Sequence, residues 1–360
     1  MIPFLVVFFI LAVFAFVDIS DSTEREKNWL WGGLVVLLSL FAGLRYNSPD
    51  YRNYRFMFET LADPHIVHAD VVGVASDPGS LLLNKIVASF TSSYWVLFLV
   101  VAASSVCVNL SSYKKYTPYV FTAILFYFVH TYVGREMMQI RAGLACAVCL
   151  YSVRFIIDRK KWHFLAAVLV AASFHLVAIC FLGSYVLCRV DIPYKVWKYI
   201  LVGCIVVGCL YPLGRVIKMI PAMEMLERVQ TYNSWDEYNG DLGVFTNPTV
   251  LKELFVLGIC MRFSGALSRF RGFKVFFDLY AFSLCWLILF HDYSIFAARI
   301  ATLFSITEVI LCSYFYGFVA PRSRVLCCCG LILFAFLILG LNLYTDRFFD
   351  YRLIPELHFL

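Results

Sequence analysis

Apolar runs recur along the whole of this 360-residue chain, at 2–17, 29–44, 94–112, 119–133, 142–157, 162–188, 199–213, 249–264, 275–290, 300–319 and 325–343. Runs of this length with few charges are what a helix needs to cross a bilayer core of about 30 Å. One water-soluble core could not hide them all. The chain is 62% hydrophobic and 15% charged, whereas soluble domains average about 45–50% and about 25%. With lipid as the solvent, each segment must satisfy its own backbone hydrogen bonds, which helices do. The runs are too continuous for the alternating strands of a membrane barrel. The expected fold class is an all-α polytopic membrane protein with about 11–12 membrane-embedded helical segments, forming a single transmembrane domain over 1–360.

The first run, MIPFLVVFFILAVFAFV, lacks the basic start and small-residue cleavage site of a signal peptide, and reads as a retained helix. The 13 cysteines lie in or beside apolar segments, so no disulfide framework is implied. Cys146 and Cys149 form a CxxC inside an apolar helix with no second pair nearby, which suits packing better than zinc or redox chemistry. The net charge of +6 is no sign of a nucleic-acid partner; its meaning lies in where the positive charges fall.

With the N-terminus outside, 17 of the 30 basic residues fall in short cytoplasmic loops. They include Arg25 and Lys27, Lys114 and Lys115, the cluster Arg154 to Lys161, and Arg269, Arg271 and Lys274. That distribution follows the positive-inside rule. It requires 162–188 to enter and leave on one side, as two arms meeting near Ser173, Phe174 and His175; one tilted helix would invert everything after it. The outward side then holds two long loops, about 45–93 and 214–248. The first has an amphipathic start (Asp50 to Leu61), a turn at Asp77-Pro78-Gly79, and a short apolar run, Leu81 to Phe90, that suits an interfacial or re-entrant helix. The second, with Asp236, Glu237, Gly240, Asp241 and Gly243, reads as a flexible cap. Short outward turns are expected near 134–141 and 291–299.

Four arginines on this side, Arg45, Arg135, Arg141 and Arg299, sit against apolar helix ends. There a guanidinium is costly unless it snorkels or meets an anion. Its planar fork fits phosphate oxygens, and several at one depth would suit a lipid-linked pyrophosphate. Any one of them alone reads equally as an interfacial anchor. Asp50 and Tyr54 are four apart, as are Tyr51 and Arg55, so each pair shares a helical face. An acid beside tyrosines suits a sugar; a helix cap beside interface-belt tyrosines is the plainer alternative. Arg135 and Gln139 share a face, whereas Arg141 points about 120° away from Arg135. His175, in AASFHLVAI, is either a hydrogen-bonded packing residue or a base. His291 with Asp292 is a second, weaker pair. His65 and His68, near Asp63 and Asp70, read as a polar loop before they read as metal ligands. No HExxH, P-loop or GxGxxG pattern occurs, so nothing supports classical metal or nucleotide chemistry.

Four stretches, in order, resemble the EpsG-like family of bacterial polysaccharide polymerases, which are related to Wzy O-antigen polymerases. GLRYNSPDYRNYRFMF is similar to the family's R-Y-x-x-G-x-D-Y-x-x-Y motif, and REMMQIRAGLACAVCLYS to its Q-x-I-R-Q-x-L-A helix. SFHLVAI resembles its F-H-x-S/T-A-L/I segment, and AARIATLF its late arginine helix. Ser48-Pro49 stands where the family often has Gly-x, and Ala142 replaces the second Gln. The resemblance spans about residues 2–345. It implies a fold like that of lipid-linked-sugar glycosyltransferases (GT-C-like). It also implies a reaction at the outer face of the bacterial cytoplasmic membrane: a glycan on undecaprenyl pyrophosphate is passed to the non-reducing end of another lipid-linked repeat unit. No cofactor is implied. The implied partners are undecaprenyl-pyrophosphate-linked oligosaccharide, membrane lipids and, as a further potential partner, a polysaccharide chain-length regulator. On this basis Arg45, Arg141 and Arg299 are expected to contact pyrophosphate, with Arg135 beside them. Asp50, Tyr51, Tyr54 and Gln139 are expected on the sugars, and His175 or Asp50 as the base. The alternatives are a flippase for the same lipid, an O-antigen ligase, and a membrane acyltransferase.

Overall fold

The computed structural model describes residues 1–62, 77–211, 213–214, 241–344 and 350–354. Asp63, His65, His68, Asp70, Asp236, Glu237 and Gly240 lie outside the described residues. In chain order the helices are α1 (Ile2–Ala15), α2 (Glu24–Gly43), α3 (Tyr51–Ala62), α4 (Pro78–Ala88), α5 (Tyr94–Tyr116), α6 (Val120–Tyr127), α7 (Ile140–Ile157) and α8 (Lys161–Phe174). There follow α9 (Gly183–Leu187), α10 (Tyr194–Leu210), α11 (Pro248–Arg262), α12 (Ser264–Leu267), α13 (Phe273–Leu289), α14 (Ser294–Ser305), α15 (Glu308–Ser313) and α16 (Arg324–Tyr344). Among the described residues the two strands, β1 (Arg45–Tyr46) and β2 (Arg352–Leu353), are two residues each. The protein is an all-α polytopic membrane protein. Its chain forms two compact units, Met1–Ile179 with Cys312–Leu360, and Cys180–Leu311.

Among the described residues, four helical stretches are long and apolar enough to cross a membrane: Ile2–Ile19, Tyr94–Tyr116, Ile140–Ile157 and Pro321–Asn342. A fifth arises if Ser294–Ser305 and Glu308–Phe318 form one bent span. The other apolar runs of the sequence are also helical, but shorter or less uniformly apolar. α2 shows why windows misplace ends. Its apolar run opens at 29, yet Thr23 and Glu26 form a capping box that starts the helix at Glu24.

In the first unit α7 lies against α5, α8 and the helical segment Phe128–Met138, α2 lies on α5, and α1 lies on α6. Asp18, at the end of the first apolar stretch, accepts from the amides of Phe121 (3.1 Å) and Thr122 (2.6 Å), and so caps α6 from a distant part of the chain. All 13 cysteines are free, and Cys146 and Cys149 are buried in α7.

Two local features bear on the site. The expected turn near 134–141 is helical instead: α6 runs on as a π-helix, Phe128–Met138, and breaks only at Gln139, whose amide donates to Gly134 (3.2 Å). The wider π turn buries Glu136, where Asn109 donates to its Oε1 and to the Tyr127 hydroxyl, 3.3 Å each. The run 162–188 also breaks where the sequence suggested. α8 stops at Phe174, His175 is extended (φ −154, ψ 109), and a 3-10 segment, Leu176–Leu182, follows.

α7 approaches the π-helix closely because Gly143 has no side chain. A Cβ there would stand 2.7 Å from the Arg135 carbonyl oxygen, a backbone atom that cannot yield cheaply. Gly143→Ala is therefore expected to lower stability by about 1–3 kcal/mol. Gly33→Ala, in α2 with nothing within 4 Å, should leave it unchanged or slightly higher. Thermal unfolding of the two variants in detergent checks this, and equal midpoints would contradict the close approach.

Candidate functional site

α3 is amphipathic. Tyr51, Tyr54, Phe58 and Leu61 fall on one face and are buried, while Arg52 and Asn53 face out. Tyr51, Tyr54 and Phe58 of that face join Val87 of α4, Tyr94, Leu97, Phe98 and Val101 of α5, and Ile140 and Leu144 of α7 in one apolar cluster. The Tyr51 ring stacks on Phe98 at 4.9 Å, with Tyr46 and Tyr94 edge-on to it, so one of its faces is already covered. Tyr54 meets Phe98 edge-on at 6.4 Å.

Arg45 leaves α2 and folds back under this cluster. It is fully buried, donating to the Ala42 carbonyl (2.5 Å) and the Ser48 hydroxyl (3.3 Å), with its guanidinium 5.1 Å from the Phe98 ring centre. The turn that returns Ser48 to Arg45 passes through Asn47 at φ 68, a left-handed conformation that Asn tolerates. β2 pairs antiparallel with β1, placing Leu353 opposite Arg45. Tyr351 locks that strand, stacking on Phe41 at 4.4 Å and donating to the Phe41 carbonyl (3.0 Å). Burial pushes the Arg45 guanidinium down to about 10, against the pull of the surrounding tyrosines, so it remains charged at neutral pH. Among the described residues no carboxylate pairs with it, and its Nη2 has no hydrogen-bond partner.

Arg141 stands in the first turn of α7, where the helix begins again after the break at Gln139. Its Nη1 is 2.7 Å from Asp77 Oδ2, and its guanidinium is 5.7 Å from the Tyr54 ring centre. The Asp77 side chain is almost wholly buried (3% exposed), whereas that of Arg141 is 30% exposed. Asp77 is the N-cap residue of α4, but its carboxylate caps no amide of that helix and turns to Arg141. The expected turn at Asp77-Pro78-Gly79 is thus a helix start with Pro in the first turn, a signal legible in the sequence. Gly79 packs onto Ser173, where a Cβ would come within 3.0 Å of the Ser173 backbone, so α4 sits against the end of α8.

Between α3, α4, α5, α7 and the end of α8 is a narrow, mostly apolar cleft, lined by Tyr54, Met57, Asn84, Arg141 and Phe174 among others. Burial pushes the Tyr54 phenol up, against the pull of Arg141, so it stays protonated at neutral pH. His175 directly follows Phe174, and Asp50 directly precedes Tyr51. Arg135 is not part of this group: it donates to Gln139 (2.6 Å), the pairing their spacing suggests. Arg299 is half-buried in α14 of the second unit. In that unit His291 contacts Asp241 (2.5 Å) and the Gly208 carbonyl (3.1 Å), while Asp292 accepts from the Gly214 amide (2.9 Å). Both are buried, so the pair tethers loops rather than facing solvent. Asp77, Asn84 and Glu136 were not singled out as candidate site residues from the sequence.

Residues 28–355 match the EpsG family. Over 278 residues the chain is 22% identical to the Amylovoran biosynthesis protein AmsC of Erwinia amylovora, a match spanning 73% of this chain and 68% of that protein. No solved structure matches the chain.

The two arginines of the first unit should respond differently to removal. Arg45→Ala takes away two hydrogen bonds from a fully buried charged group and is expected to cost about 2–4 kcal/mol of stability. Arg141→Ala strands the almost wholly buried Asp77 carboxylate, so adding Asp77→Asn should recover much of its loss and recover nothing for the Arg45 variant. Unfolding midpoints of the single and double variants compare them, and no recovery would contradict the pairing.

Proposed function

The chain belongs to the EpsG family, and on that premise we propose that it is a membrane-embedded polysaccharide polymerase acting at the outer face of the bacterial cytoplasmic membrane. It passes a growing glycan from undecaprenyl pyrophosphate to the non-reducing-end hydroxyl of another lipid-linked repeat unit. The relative AmsC, a biosynthesis protein for amylovoran by its name, supports a glycan product.

In the reaction the acceptor oxygen bonds to the anomeric carbon, and the bond from that carbon to the pyrophosphate oxygen breaks. Pyrophosphate leaves with the electron pair, and the hydroxyl proton passes to a base. Pyrophosphate is a good leaving group, so the protein's share is to position the acceptor and stabilise charge on the departing oxygens. Arginines meet that charge without calling for a metal ion.

The observation that carries the proposal is the Arg141 guanidinium at an apolar cleft, held by a carboxylate and partly open to the surface. Asp77 occupies the place a phosphate oxygen would take. Arg45, enclosed as it is, acts by holding the turn that carries Asp50, Tyr51 and Tyr54. Tyr54 and Gln139 are assigned to sugar hydroxyls. His175 and Asp50 are the rival bases: each directly adjoins a residue lining the cleft or packed beside it.

Purified protein in lipid nanodiscs, given lipid-linked repeat unit without nucleotide, should yield a ladder of longer lipid-linked glycans. Arg141→Ala should slow it by about 10²–10³-fold, the usual effect of removing one group that stabilises developing negative charge. A normal ladder from that variant would remove Arg141 from the site. Translocation of the lipid with no new glycosidic bond would favour a flippase instead.

A further inference from the structure

Asn84 lies in the middle of α4, 2% exposed, and lines the cleft beside Arg141 and Tyr54. Its Nδ2 donates to the Ser80 carbonyl one turn earlier, at 2.7 Å. A carbonyl oxygen only accepts, so the amide cannot be turned round without setting two oxygens against each other. The orientation is thereby determined, and it leaves Oδ1 as a buried acceptor with no hydrogen-bond partner among the described residues. An unsatisfied buried carbonyl oxygen costs about 1–3 kcal/mol, in a helix that could have carried an apolar residue at that position.

The chemistry of the two groups differs in sign. The Arg141 fork takes anionic oxygens, while Asn84 Oδ1 repels them and takes an O–H or N–H. One ligand that satisfies both carries a phosphate at one end and a hydroxyl or amide N–H a few atoms away. The walls of Met57, Leu83, Leu97 and Phe174 offer apolar surface around them. We propose that this cleft is a glycosyl-phosphate subsite, in which Arg141 holds the phosphate and Asn84 reads a hydroxyl or N–H of the attached sugar. The assignment rests on the polymerase proposal above and adds the residue that tells the sugar-bearing lipid from the bare one. With Asp77 on Arg141 the cleft encloses only about 10 Å³, so the sugar enters as the phosphate takes the place of Asp77, the N-cap residue of α4.

The test uses the full chain in nanodiscs and two probes: polyprenyl pyrophosphate alone, and the polyprenyl-pyrophosphate oligosaccharide extracted from the native cells. The unaltered protein should bind the sugar-bearing lipid more tightly than the bare one. Asn84→Ala should reduce that preference by about 3–10-fold, the worth of one hydrogen bond to a neutral acceptor, and leave binding of the bare lipid unchanged. Asn84→Ser retains a bond back to the Ser80 carbonyl and lacks the amide oxygen, so it gives the same answer if the alanine variant does not fold. Arg141→Ala should weaken both probes. An intact preference in the Asn84 variants, or an equal loss for both probes, overturns the assignment while leaving the polymerase proposal standing. Failure of the unaltered protein to bind either probe overturns both.

Discussion

A guanidinium at the edge of an apolar core must be met by an anion, by hydrogen bonds or by water, and the first unit meets this demand in two different ways. Arg45 is enclosed by backbone and hydroxyl oxygens, by the Phe98 ring and by a strand from the far end of the chain. Arg141 is met by a carboxylate and stays partly open. The ion pair with Asp77 also sets the placement of α4: it draws the N-cap side chain away from its own helix and across to α7. Breaking such a pair on one side is costly because the remaining charge is left uncompensated. Exchanging one anion for another is not.

The π-helix places these groups. If α6 had continued as an ordinary α-helix through 138, the side chains of Arg135, Glu136 and Gln139 would be rotated relative to their present positions, because a π turn holds more residues. The break at Gln139 then starts α7 afresh, with Arg141 in its first turn and Gly143 against the Arg135 carbonyl. Sequence spacing separates Arg141 from Arg135 and Gln139, and the structure does so too. It does this through a change of helix type and a break, which no count at 100° per residue contains.

Much of the architecture was legible in the sequence. Long apolar runs mark helices because lipid cannot satisfy a bare backbone. The T-x-x-E start of α2, the pause at His175 and the amphipathic face of α3 follow from local rules. Less was legible of the site. Arg45 and Arg141 look alike in sequence, each an arginine beside an apolar run, and only packing distinguishes an enclosed charge from a partly open one. Asn84 gave no signal at all, because one asparagine in a short apolar run is unremarkable until its helix is placed against a cleft.

The sequence by itself determined that the chain is helical and membrane-embedded and that its arginine, tyrosine and histidine motifs follow the family's order. Composition, periodicity and short motifs are local properties that survive without any knowledge of contacts. Tertiary structure alone decided which oxygen faces which nitrogen. Asp77 meets Arg141 across 64 residues of chain, and Leu353 meets Arg45 across more than 300. Such pairings depend on how helices pack, and packing is a property of the whole chain that no window of it contains.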